Sequence, residues 1–382
     1  MPITLNGTTG ITTPAIDASA GSSALTTLSV GGNNISAVNS LGFRNRIING
    51  DMRIDQRNGG ASITPSQAAY ALDRWVYNFN PTARFTFQQN LNGVTPPTGF
   101  TNYLGMSVSS AGTPGSGDVN LLRQRIEGFN SADLAWGTAS AASVTISFWV
   151  RSSLTGTFSG ALQNGSENRT YPFTFSISAA NTWEFETITI AGDTTGTWAT
   201  NNTTGIVFTI NLGSGSSQLT TAGAWAASGA TGATGQVNLC ATAGATFYLT
   251  GVQLEAGSVA TPFERRDYGR ELILCQRYFY RVQGASNSLA GPALFSTTGA
   301  NGISIVSFLP TSMRTPPTCT KQGSSGFATN DDSTYMNYTV NSAAAESATN
   351  AIFIRCTYSS GGQINARGYL SGNTHIDCSS EL

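Results

Sequence analysis

Between residues 70 and 255, apolar and polar positions repeatedly alternate with a period of two. The runs 74–79, 84–87, 144–150, 171–177, 183–190, 206–210 and 246–254 all carry aromatic or β-branched residues at this period. Such spacing puts like side chains on one face of an extended chain, so each run predicts a strand with one buried face. Clusters of Gly, Asn and Ser between the runs supply the turns. No segment before residue 260 has the spacing of a long helix. The pattern therefore predicts an all-β chain built on a β-sandwich. All six Trp (Trp75, Trp136, Trp149, Trp183, Trp198 and Trp225) fall in this span, which places the larger core there.

The flanks read differently. Residues 46–52 predict a short apolar strand entering a turn. Leu272, Cys275 and Phe279 recur at helical spacing with charges on the other side, which predicts one short connector helix within 265–281. Strand-like runs at 303–308 and 352–358, with a proline-rigid turn at 313–318, predict a smaller C-terminal β domain over 282–382. Residues 1–41 carry only sparse apolar steps, Ile3, Leu5, Ile11, Leu28 and Val30, too few for a core of their own. They predict an extended arm, disordered alone or laid against another chain, ahead of a sandwich spanning 42–264.

Composition narrows the function classes. Only 10% of residues are charged and the net charge is −1, against about 25% charged in ordinary domains. That gives no cationic footprint for nucleic acid. No apolar run is long enough for a helix inserted in a membrane. The opening MPITLNGTTG lacks the basic and apolar regions of a secretory signal, and five cysteines without a CxxC pair fit free thiols in a reducing cytoplasm. His375 is the sole histidine. A single histidine rules out a His-rich zinc site and argues against a Ser-His-Asp triad. Residues 1–43 hold Asp17 alone as an ionisable side chain, and 194–254 hold no Asp, Glu, Lys or Arg. Charge depletion of this kind is expected at subunit contacts, here those of a homotrimer, or in an exposed coat of small hydroxyl and amide groups.

Five blocks occur in order: residues 44–54, Asp73-Arg74-Trp75, 123–127, 147–151 and the long run 247–264. Together they resemble the carbohydrate-binding-module-like jelly roll of tail-fibre and other virion proteins of bacteriophages and prophages. The resemblance implies a jelly-roll sandwich in a structural fibre subunit of a virion assembled in the host cytoplasm. It implies attachment of the arm to other virion proteins (tail, portal-proximal or capsid) and contact of the β domains with host surface polysaccharide. A capsid decoration or head-fibre protein is one alternative, and a polysaccharide depolymerase another. A binding protein rather than an enzyme is expected, with no catalytic residue assigned.

In such jelly rolls the terminal strands are adjacent and oxygen ligands near them hold a structural calcium. Asn49, Asp51 and Glu255 are the candidates here, the alternative being a turn cap at Asp51 and an Arg partner for Glu255. Trp75 shares a face with Tyr77 and Phe79 and reads as core. Trp198 and Trp225 lie in Gly/Thr/Ala-rich loops and are the carbohydrate-binding candidates, with interface packing as the alternative. Arg123, Arg125 and Glu127 alternate on one face, as an ionic ladder or an anionic-glycan cleft. Glu184 and Glu186 share a strand face about 7 Å apart, a spacing known in glycoside hydrolysis, although two solvent-facing acids explain them more simply. Asp331-Asp332 read as a turn. His375, near Asp377 and Cys378, reads as part of a solvated loop, or as a metal ligand on a trimer axis.

Overall fold

A computed structural model of the chain describes the backbone of residues 28–30, 33–35, 44–283, 293–297, 302–322, 327–331, 334–344, 351–357, 367–370 and 375–382. Side chains are described for 44–282, 309–320 and 375–382. The chain forms two compact units, 1–44 and 45–382. In the first, β1 (Leu28–Val30) and β2 (Asn33–Ile35) pair as a short antiparallel hairpin. Ile3, Leu5 and Ile11 lie outside the described residues, as do the side chains of Leu28 and Val30.

The second unit opens on a two-sheet sandwich. Its strands are β3 (Ala69–Leu72), β4 (Trp75–Asn80), β5 (Phe85–Gln89), β6 (Leu104–Val108), β7 (Val119–Glu127), β8 (Val144–Ser152) and β9 (Gly156–Asn164). They continue with β10 (Thr170–Ile177), β11 (Glu184–Ile190), β12 (Thr204–Ser214) and β15 (Thr246–Ala256), while β13 (Leu219–Thr220) and β14 (Gly232–Ala233) form a small parallel pair between the last two. One sheet runs β10-β9-β12-β7-β4-β3 and the other β11-β8-β15-β6-β5. Every pairing within these two sheets is antiparallel. The predicted phases set the core. Val144, Ile146, Phe148 and Val150 of β8 point inward, as do Leu122 and Ile126 of β7 and Ile206, Phe208 and Ile210 of β12. Trp75 is fully buried, and its indole N–H donates to the Asn49 carbonyl at 2.9 Å.

Residues 46–52 are not a strand. Ile47, Ile48 and Met52 are buried as an apolar run should be, but Asn49 takes a left-handed backbone (φ 57°). Its side chain then replaces a ladder: Oδ1 accepts from Ile54 N at 2.9 Å, while Nδ2 donates to the carbonyls of Ile54 (2.8 Å) and Asp73 (3.0 Å). Asn is among the residues that tolerate this backbone and can bond locally.

The charge-free stretch 194–254 is explained within one chain only where it forms strands. It supplies β12, ten of whose eleven residues are buried, and most of β15, nine of whose eleven are buried. Each lies in the interior of its own sheet, where an unpaired charge is costly.

The helix α1 (Tyr268–Gln276) forms as predicted, capped by Asp267, whose side chain accepts from Arg270 N at 2.9 Å. It stops before Phe279, which opens β16 (Phe279–Gln283) instead. Glu127 catches the chain there: Tyr278 Oη donates to it at 2.7 Å and Arg277 pairs with it at 2.6 Å. Beyond it lie β17 (Ala293–Thr297), β18 (Gly302–Phe308), β19 (Thr318–Gln322), β20 (Phe327–Asp331), β21 (Thr334–Ala344), β22 (Ala351–Thr357), β23 (Arg367–Leu370) and β24 (His375–Ser379). They form a six-stranded sheet, β17-β18-β22-β21-β20-β23, and a three-stranded sheet, β16-β24-β19. His375 thus lies on a strand, with its Nε2 3.7 Å from Asp377 Oδ1, and not in a loop. Asp331 ends β20, and Asp332 lies outside the described residues.

Candidate functional site

The outer face of the five-stranded sheet carries an aromatic pocket. On β8, the phase opposite the core is Thr145, Ser147, Trp149 and Arg151. Phe185 of β11 sits opposite Trp149 in register, and Thr250 of β15 flanks it on the other side. The β15–β8 ladder is interrupted between Thr250 and Gln253. Gly251 has φ +63°, and Val252 N turns to the Gly50 carbonyl at 2.9 Å. A Cβ at Gly251 would meet Phe100 Cζ at 2.7 Å and Trp149 Cδ1 at 3.2 Å, so a bare backbone floors the pocket.

The cavity holds about 300 Å³ and is walled by Phe100, Trp149, Phe185 and Phe263, with Thr261 and Arg265 at its edge. Trp149 and Phe185 lie 5.3 Å apart, tilted by 49°, and Phe100 and Phe263 lie 5.3 Å apart at 66°. Phe185 is 48% exposed. A large ring left in water beside other rings marks a contact surface more than a fold requirement.

Glu255 and Gln253 hold one wall in place. The buried Glu255 accepts from Thr261 N (2.8 Å), Thr261 Oγ1 (2.6 Å) and Gln253 Nε2 (2.8 Å), while Gln253 Oε1 accepts from Glu264 N at 2.8 Å. These bonds fix the turn that presents Thr261 and Phe263.

The segments that carry the three calcium candidates are neighbours, since residues 45–50 run beside 252–254. Their oxygens do not fit a cation. Asn49 Oδ1 accepts from Ile54 N, Asp51 pairs with Arg53 at 2.5 Å, and both oxygens of Glu255 accept from protein donors. Calcium needs six to eight oxygens turned to one centre. Among the described residues no group of three or more His, Cys, Asp or Glu is placed to hold a metal.

Trp198 and Trp225 meet over Trp136, with all three ring separations between 4.7 and 5.4 Å and all three contacts edge-on. Each indole N–H donates to a backbone carbonyl: Trp136 to Ala142, Trp198 to Thr195 and Trp225 to Ala191. Trp198 also lines a smaller pocket of about 200 Å³ with Trp136. Trp225 packs against Tyr171 as well.

The outer face of the six-stranded sheet holds the ionic ladder. Glu167 reaches Arg123 at 2.9 Å and also pairs with Arg125, while Glu127 takes Arg277 and Tyr278. Burial alone would raise the Glu167 carboxyl, but the two guanidinium groups outweigh it and hold it below its usual range. Residues 229–237 fold over the same face. Gln236 Nε2 donates to Asn211 at 2.7 Å, Ala233 N donates to Ser159 Oγ at 2.9 Å, and Gln163 reaches the Gly229 and Ala230 carbonyls.

Glu184 and Glu186 do share a phase of β11, but Glu184 caps a turn, accepting from Ser178 N, Ser178 Oγ and Ala179 N. Those backbone donors hold its carboxyl below the usual range, whereas burial, with Glu184 as a lesser cause, pushes Glu186 up.

Of the pocket residues, Phe100, Phe185, Phe263 and Arg265 were not singled out from the sequence, and Trp149 was read only with the core tryptophans. One signal was present. Trp149 and Phe185 stand in the polar phase of their strands, with Thr145 and Ser147 and with Thr187 and Thr189. A core does not need an aromatic there.

The fold and the pocket define a class: an all-β sandwich protein with one open aromatic face. Among the described residues no helix is long and apolar enough to cross a membrane. No protein-family model and no curated protein sequence matches the chain. Solved structures similar to it include the enzymatically active domain of tailspike protein 4 of bacteriophage CBA120, at 13% identity over 56% of this chain and 21% of that chain, TM-score 0.31. The chain thus spans about a fifth of that tailspike chain. The family 11 carbohydrate-binding module of a Clostridium thermocellum cellulosomal cellulase aligns at 14% identity over 49% of this chain and 90% of that one, TM-score 0.26. The N-terminal cellulose-binding domain of Cellulomonas fimi β-1,4-glucanase C aligns at 13% over 42% and 82%, TM-score 0.22.

Proposed function

We propose that this chain is a glycan-binding structural subunit of a phage virion fibre, and that it binds without cleaving. The observation that carries the binding reading is the pocket of Phe100, Trp149, Phe185 and Phe263 on an uncovered sheet face. Ring faces offer apolar area to the C–H faces of sugars, and the nearby Thr261 hydroxyl and Arg265 guanidinium supply directional polar contacts. A shallow pocket of this size suits weak single contacts summed over many copies.

The fibre role rests on the ordered blocks of sequence that resemble virion jelly rolls. In this reading the 1–41 arm attaches to the particle. Homotrimer assembly belongs to the same reading and rests on the charge-poor arm and on the exposed charge-free loops within 194–254, since β12 and β15 are buried within one chain.

A glycan array of bacterial surface polysaccharides tests the binding reading. Binding by the full chain, lost in Trp149→Ala with the melting temperature held within a few degrees, supports it. Binding that survives Trp149→Ala removes it. Immunogold labelling of particles with antibody to this chain tests the fibre role. Label on the capsid shell would move the chain to a head decoration.

A further inference from the structure

The aromatic pocket continues into a second cavity. That cavity, of about 330 Å³, is lined by Asp51, Arg53, Gly99, Thr101 and Arg266, and shares Phe100 and Arg265 with the first. The two therefore form one groove, aromatic at one end and basic at the other, with Arg265 at the joint.

The charges in the basic half do not cancel. Arg53 and Asp51 pair at 2.5 Å and neutralise each other. Arg266 is buried and paired with Glu264 and Glu271. Arg265 is exposed, and no carboxylate among the described residues pairs with it. Its guanidinium carbon lies 4.7 Å from the Phe100 ring centre and 5.8 Å from that of Phe263. The same group fits against Gly99, where a Cβ would stand 2.9 Å from Arg265 Nη2. Stacking on aromatic faces orients a guanidinium plane and leaves its N–H edge free. Such an edge matches a carboxylate with two parallel hydrogen bonds.

We infer that the groove recognises an acidic glycan: a sugar face stacks among Trp149, Phe185 and Phe263, and the carboxylate of a uronic-acid-type residue meets Arg265. This rests on the glycan-binding reading above and adds the class of glycan. A neutral glycan would use the rings and leave the one uncompensated cation of the groove without a partner. An anion there meets no free acid, because Asp51 is already held by Arg53.

The test uses the full chain on an array of bacterial surface oligosaccharides, each carboxylated member paired with its carboxyl-reduced form, beside phosphodiester-bearing glycans. The carboxylated member is expected to bind about tenfold more tightly than its reduced partner, the scale of a charge-assisted hydrogen bond. Arg265→Gln abolishes that preference, so that the carboxylated member binds no more tightly than its reduced partner. Trp149→Ala abolishes binding of both. Equal binding of the paired forms, or preference for phosphodiester glycans, overturns the acidic-sugar assignment and leaves the aromatic pocket standing. Absence of binding to any member, or binding insensitive to Trp149→Ala, overturns the pocket reading and the assignment with it.

Discussion

The two outer faces of the sandwich were built from the same kind of strand and finished in opposite ways. On the six-stranded sheet, the outward residues of β7, β9 and β12 include Arg123, Arg125, Ser159, Gln163, Thr209 and Asn211, and the chain covers that face itself with Glu167 and the 229–237 segment. On the five-stranded sheet, the outward residues include Trp149 and Phe185, and nothing among the described residues covers Phe185 beyond its ring neighbours. Polar groups can be closed over where most find a hydrogen-bond partner, as they do here, with Thr209 Oγ1 and Arg123 Nε left without one. An aromatic face left open has no such internal use. The contrast separates a face that stabilises the fold from a face available to a ligand.

The contrast can be broken from either side. The largest effect is expected from the open face: Trp149→Ala or Phe185→Ala should weaken glycan binding by about thirtyfold or more, the scale of an interface hot spot. Titration calorimetry would check this, and the melting temperature should move little. Gly251→Ala should block the pocket as completely, because its Cβ has no room beside Phe100 and Trp149.

Next comes the covered face. Glu167→Ala leaves Arg123 buried without its carboxylate and should cost about 2–3 kcal/mol in urea unfolding, less than a fully buried pair because Glu167 is 30% exposed. Glycan affinity should not change. Gly232→Ala probes the cover itself, since a Cβ there meets Ser159 Oγ, Asn211 Nδ2 and Gln236 Oε1 at 2.6–2.7 Å. A loss of about 1–3 kcal/mol is expected, with faster amide exchange confined to 229–237.

The smallest effect is in pH. The Glu167 carboxyl lies below its ordinary range when folded, so its stabilisation is present above the unfolded value and is lost as pH falls through the folded one. Acid unfolding of Glu167→Gln should therefore have a shallower limb below about pH 4.5 than the parent chain. An identical limb would show that the pair contributes nothing to acid stability.

Strand phases were legible because period-two alternation is a local property, and Val144, Ile146, Phe148 and Val150 face the core as their spacing required. The ionic ladder at Arg123, Arg125 and Glu127 was legible as a pattern. Its partners were not, since Glu167 and Arg277 lie far along the chain. Asn49 drew attention as a ligand because its type and neighbours suit oxygen coordination. Its left-handed backbone instead turns both ends of its amide onto nearby main chain. The pocket was hidden for a related reason. Phe100 and Phe263 come from loops that meet only across the break at Gly251, and that break depends on Gly50 approaching Val252 from about two hundred residues away.

The three-stranded sheet β16-β24-β19 has a consequence for where distant parts of the chain are held together. Gln283, His375 and Gln322 end their strands on one rung, with His375 between the other two. Below that rung the sheet is tied to the preceding part of the chain, by Arg281 to the Arg57 carbonyl at 2.9 Å, by Arg57 to Glu381 at 2.8 Å and by Arg314 to the Asn202 carbonyl at 3.0 Å. Above it, the chain leaves and returns through three neighbouring exits. The sheet is thus a clasp: it holds the residue where β16 ends and the residue where β24 begins side by side, although 91 residues separate them along the chain.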